Sequence, residues 1–188
     1  MPGSTHQQGT RANRAEGPTV LSTNKASLNA YWRNVGIVVG RGAPYNVSAT
    51  EYRELMEYLI AKHPDGVGLL TVIEERSTPD PEARDIMVKM FRDLWRDMRC
   101  VAFIVEGRGF GAAAQRGVLS AFLIASGRSA KIKIFSDLGV AVRWMASELG
   151  GMHKHLGVEG VEQALLSATH EARSIDFLRP ESQSASTR

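Results

Sequence analysis

The stretch Cys100-Val-Ala-Phe-Ile-Val-Glu106-Gly-Arg-Gly-Phe-Gly-Ala-Ala-Ala-Gln-Arg-Gly117 decides the fold. From Val101 to Val105 every side chain is β-branched, aromatic or small, and none is polar, as in a strand covered on both faces in a parallel sheet. The run stops at a charge, turns through glycines and restarts as an alanine-rich segment. That order reads as buried strand, tight loop, helix. A strand with no polar face needs other elements above and below it, so the chain around it must supply two covering layers.

Working outward toward the amino end, Thr78-Pro-Asp-Pro-Glu82 places an acidic cap before a proline at the first helical turn, where its missing donor costs nothing. Met87, Met90, Phe91, Leu94, Trp95 and Met98 form the apolar stripe of that helix and are read as core. Val67 to Ile73 is a second buried strand, with charges at Glu74-Glu75-Arg76 marking its exit. Ser48-Ala-Thr-Glu51 has capping-box spacing and opens a helix whose apolar face is Tyr52, Leu55, Met56, Leu59 and Ile60. His63-Pro-Asp-Gly66 ends it. Ala26 to Arg41 reads as an opening strand or a hairpin turning near Arg33-Asn34.

Toward the carboxyl end, Ala112 to Ser126 reads as a helix. Lys131-Ile-Lys-Ile-Phe135 alternates as an edge strand does, and Ser136 or Asp137 can cap a helix carrying Ala141, Trp144, Met145 and Leu149. Gly150-Gly151 begins a hinge, followed by a helix over Val158 to Arg173. The fold class expected is therefore α/β: a small open, mostly parallel sheet of four to five strands flanked by helices. Residues 1–24 are polar and too poor in large apolar side chains to offset their ordering entropy, so they are expected to be a disordered tail. The α/β domain then spans 25–150, a hinge and helix 151–180, and a second disordered tail 181–188.

Of the 188 residues, 43% are hydrophobic and 23% charged, which places the chain among globular proteins and excludes a disordered composition. The net charge is only +3, with basic residues interspersed among acids, so no nucleic-acid partner is expected. Cys100 is the only cysteine, which excludes an intrachain disulfide and a cysteine-rich zinc site and fits a reducing cytoplasm. No apolar run is long enough to span a bilayer, and Met1 to Val20 has no apolar core of a signal peptide. A cytoplasmic protein is expected.

Two stretches carry a family resemblance: Val67 to Ile73 before an acidic turn, and Phe135-Ser-Asp-Leu-Gly-Val-Ala-Val-Arg-Trp144. Over roughly residues 27–149 the chain resembles the STAS-like superfamily, and within it the bacterial SpoIIAA-like group. There a strand ends in Phe, a short polar turn follows, and a helix carries an alanine three residues before Trp. The resemblance implies a STAS-like fold and a non-enzymatic regulatory module that binds a partner protein. STAS domains that antagonise anti-sigma factors carry a phosphorylatable hydroxyl in an Asp-Ser-x-Gly-like turn after the second crossover strand. This chain has Glu74-Glu-Arg-Ser-Thr-Pro-Asp-Pro81 there, so Ser77 and Thr78 lack that order and the module is expected to lack the phospho-switch.

The alternative is a small-ligand protein. Gly107-Arg108-Gly109-Phe110-Gly111-Ala112 fits G-x-G-x-x-A between strand and helix, where glycine amides can approach a phosphate. Dinucleotide binding, other anion binding and a purely structural turn are all compatible with it, and the turn is preferred. Asp137 lies thirty residues past Gly107, beyond the usual spacing of a ribose-binding acid. At least one of Gly109 and Gly111 is expected to have positive φ. Glu74, Arg76, Glu106 and Arg108 follow strand ends and would gather on one rim, where α/β sheets bind ligands. With the glycines they form the candidate binding set for an anion, nucleotide or lipid. No catalytic residue, cofactor or metal is expected: there is no G-x-S-x-G elbow, Cys100 precedes a buried strand, and His153-Lys-His155 reads as a surface loop.

Overall fold

In the computed structural model, residues 17–74, 79–106, 113–114, 116–117, 120 and 131–175 are described. Among them, six strands form one sheet in chain order. They are β1 (Thr19–Thr23), β2 (Ser27–Trp32), β3 (Val35–Gly40), β4 (Val67–Ile73), β5 (Met98–Val105) and β6 (Ile132–Phe135). The helices are α1 (Asn46–Lys62), α2 (Pro81–Leu94), α3 (Leu138–Leu149) and α4 (Gly157–Ser174). β1, β2 and β3 pair antiparallel, and β3 through β6 pair parallel. The expected small, open, mostly parallel α/β sheet is what the chain forms.

The alternation of the pleat sends successive side chains to opposite layers. On one face, Val38, Leu69, Val101 and Phe103 meet Tyr52, Leu55, Met56 and Leu59 of α1 and Met90 and Phe91 of α2. On the other, Leu28, Ile37, Leu70, Cys100 and Ile104 meet Met145 and Leu149 of α3 and Val161 and Leu165 of α4. β5 is buried along almost its whole length, which explains its uninterrupted apolar run. Two strand glycines let the helices approach: a Cβ on Gly36 would lie 3.2 Å from Met56 Sδ, and one on Gly68 would lie 3.0 Å from Leu149 Cδ1.

The structure corrects three expectations. The stretch read as tail to residue 24 contributes β1, which carries almost no buried surface. It is held by pairing with β2 and by polar side chains: Ser22 Oγ and Asn24 Nδ2 donate to Glu51 Oε2 at 3.0 and 2.6 Å. This edge strand raises the sheet above the expected four to five. Glu51 is thereby taken up by a tertiary partner instead of a capping box. α1 starts two residues before Ser48, and Ser48 Oγ accepts the Tyr45 amide at 2.8 Å. Third, His153 of the expected surface loop is buried against Trp32. The hairpin turns at Arg33-Asn34 as expected, and Asp80 and Asp137 cap α2 and α3 by accepting from Ala83 and Val140 amides at 2.7 and 2.8 Å.

Candidate functional site

Parallel pairing puts the exits of β3, β4 and β5 on one edge, and the residues just past those strands are Arg41, Glu74 and Glu106. The Glu74 amide extends the ladder by donating to Gly40 carbonyl at 2.8 Å, which fixes the carboxylate beside the end of β3. Two of the expected rim residues, Glu74 and Glu106, are thus on this edge. Arg76, Gly107, Arg108, Gly109 and Gly111, like Ser77 and Thr78, lie outside the described residues, as does the expected φ of Gly109 and Gly111.

Glu74 and Glu106 are joined by a residue from the far end of the chain. Arg173, in the last turn of α4, donates from Nε to Glu74 Oε1 at 2.9 Å. Its Nη1 and Nη2 donate to Glu106 Oε1 and Oε2 at 3.0 and 2.9 Å, a bidentate fork. On the other side, Arg41 Nε donates to Glu74 Oε2 at 2.6 Å. The same guanidinium caps α4, with Nη1 donating to Ile175 carbonyl at 3.0 Å and Nη2 to Arg173 carbonyl. These last carbonyls have no partner within the helix and carry the negative end of its dipole, so a cation there is favourable twice over.

The electrostatics follow from this geometry. Burial pushes the Glu74 carboxyl up, but hydrogen bonds from Arg41 and Arg173 outweigh it and leave its pKa below the ordinary range. The Glu106 and Glu74 carboxylates raise that of Arg173 against a smaller opposing effect of burial. A carboxyl that moves protons near neutrality needs the opposite shift. The rim therefore holds an alternating row Arg41, Glu74, Arg173, Glu106 that seats α4 on the sheet. Further along the chain, Arg116 Nη1 donates to Val105 carbonyl at 3.0 Å and reaches the same edge.

Strand order bears on the exit of β5. Doubly wound sheets bind dinucleotides in the crevice where strand order reverses. Among the described strands the order runs β1 to β6 without reversal, so β5 sits between its sequence neighbours.

Elsewhere, no group of three His, Cys, Asp or Glu side chains suited to a metal ion occurs among the described residues. Cys100 faces α3, and burial, then the charge of Glu148, push its thiol up to about 12, far from a reactive thiolate. No helix among the described residues is long and apolar enough to cross a membrane.

Sequence reasoning placed Glu74 and Glu106 on a rim but missed both arginines. Arg41 carried a usable signal, since it follows β3 as Glu74 follows β4. Arg173 carried none, being 99 residues from Glu74 in a helix whose docking no local pattern specifies. The chain matches no protein-family model, and no curated protein matches it either.

Proposed function

We propose that this chain is a non-enzymatic STAS-like module of the bacterial cytoplasm that acts by binding a partner protein, without a phospho-switch. The observation that carries the reading is Arg173, which engages Glu74 and Glu106 together. It fills from within the edge on which an α/β enzyme ordinarily gathers its reacting groups, and it hydrogen-bonds both carboxylates. The STAS-like assignment is supported by the order of hairpin, α1, β4, α2 and β5. It is also supported by the Phe135–Trp144 pair, whose rings pack with centroids 5.5 Å apart across the turn from β6 into α3. The single buried cysteine fits a reducing compartment.

The test sets binding of a protein against binding of a small ligand. The full chain, immobilised and exposed to native bacterial lysate, is expected to retain one protein reproducibly and in near-stoichiometric amount. The same chain screened by thermal shift against nucleotides, phosphorylated metabolites and acyl lipids is expected to keep its melting temperature. Background alone in the capture, together with a saturable rise in melting temperature for one ligand class, would overturn the reading in favour of a small-ligand protein.

A further inference from the structure

At the opposite edge of the sheet, a second polar cluster joins the turn between β2 and β3 to the connection between α3 and α4. Arg33 sits at φ 53°, the left-handed conformation, which turns the hairpin within two residues. Asn34 is buried beside it. Its Nδ2 donates to Gly66 carbonyl at 2.9 Å, and its own carbonyl accepts the Gly68 amide at 3.0 Å. With Nδ2 committed as a donor, Oδ1 is the acceptor, and it lies 2.7 Å from His153 Nε2. His153 must therefore carry its proton on Nε2, and Nδ1 is the nitrogen that would take a second one.

His153 is 8% exposed, and its ring packs on Trp32 with centroids 5.8 Å apart and edge-on to His155 at 6.4 Å. His155 Nε2 lies 2.7 Å from Arg33 Nη1. A guanidinium only donates, so this bond needs His155 neutral, with Nε2 unprotonated. The Arg33 contact thus describes a closed state in which His155 is neutral, whereas the Asn34 bond persists when Nδ1 of His153 takes a proton.

Arg33, from the hairpin turn, is the fixed cation beside His153; His63 from the end of α1 and His155 from its own loop are its other basic neighbours, and Lys154 in that loop is exposed. Asp65 is the acid of the α1–β4 turn, and its main-chain carbonyl accepts from Arg99 Nε at 2.9 Å, at the start of β5. Burial and then the charges of Arg33, His155 and His63 all lower the His153 pKa, and no carboxylate opposes them.

We infer that His153 and His155, clasped to Asn34 and Arg33, form an acid-opened latch that holds the α3–α4 connection to the hairpin at neutral pH and releases it on acidification. Protonation of His155 removes the acceptor of Arg33 and places two cations in contact. Protonation of His153 adds a buried charge beside Arg33. Opening exposes His153 to water, restores its free-imidazole affinity for the proton and frees the connection leading to Gly157, where α4 begins at φ 65°. The sign is fixed by the lowered value. The latch's stability is fully present above the free-imidazole pKa and is lost as pH falls through the value of the closed state.

Hydrogen exchange of the full chain, corrected for intrinsic rates, reads this directly. Amides of 150–158 are expected to lose protection below about pH 6.5, by up to about tenfold per pH unit for each linked proton, while those of β4 and β5 keep theirs. The variant His153→Gln, His155→Gln keeps neutral hydrogen-bonding groups and is expected to abolish the pH dependence. Equal protection at about pH 7.5 and about pH 5.5 in the unmodified chain, or an undiminished loss in the double variant, would overturn the latch. Should the double variant not fold, imidazole NMR of the unmodified chain decides: titration of His153 below about 6.5 supports the latch and titration at or above it refutes it.

Discussion

Replacing Arg173 with methionine removes the fork on Glu106 and the bond to Glu74 while keeping most of the unbranched stem that packs at the end of α4. The size of the loss follows from exposure. The side chains of Arg173, Glu74 and Glu106 are 23, 23 and 39% exposed, so the cluster lies between a surface pair and a buried one. Exposed pairs contribute up to about 1 kcal/mol and charge-assisted hydrogen bonds about 1.5–3 kcal/mol. Glu74 keeps Arg41 at 2.6 Å, and Glu106 can turn to water, so neither acid is stranded. The expected loss is therefore about 1–2 kcal/mol, or about 2–8 °C in melting temperature for a domain of this size. The loss should shrink in molar salt, because the exposed part of the interaction is screened. A double-mutant cycle with Glu106→Gln, followed by chemical denaturation, should give a coupling of about 0.5–1.5 kcal/mol. Strict additivity, within about 0.3 kcal/mol, would refute the claim that this pair anchors α4.

Gly68→Ala should cost about 1–3 kcal/mol in denaturation experiments, because its Cβ would meet Leu149 and Met145 at 3.0 and 3.1 Å on the buried face of α3. Tyr52→Phe removes the buried bond between the Tyr52 hydroxyl and Thr71 Oγ1, 2.7 Å apart, and should cost about 1–2 kcal/mol. Adding Thr71→Val should recover part of that loss, since removing both partners leaves no unpaired hydroxyl. Cys100, with its thiol raised to about 12, should resist disulfide reagents at mildly alkaline pH until the chain is unfolded, and rapid labelling of the folded protein would contradict its placement.

What was legible in the sequence was what burial and local hydrogen bonding dictate. β4 and β5 announce themselves because strands covered on both faces are built almost wholly of apolar residues, and Asp80-Pro81 announces α2 because a cap and a first-turn proline act within one turn. β1 was not legible, since a strand held by edge pairing and by Glu51 needs no apolar pattern of its own. For the same reason Glu51 was misread: its spacing from Ser48 fits a cap, but Ser22, Asn24 and Asn29 all donate to it across the fold. Glu74 and Glu106 could be placed on one edge because parallel strands align their exits. The arginine between them could not, nor could the burial of His153, because both depend on where α4 docks.

Whether the rim carboxylates anchor a helix or move protons is decided most directly by the titration of the Glu74 side chain, followed by carbon-detected NMR on the folded chain. Hydrogen-bonded to Arg41 and Arg173, it should ionise below the ordinary glutamate value of about 4.3. The stability it contributes should be fully present above that value and lost as pH falls through the folded-state pKa. Titration at about pH 6–7, where a catalytic acid or base would sit, would contradict the account.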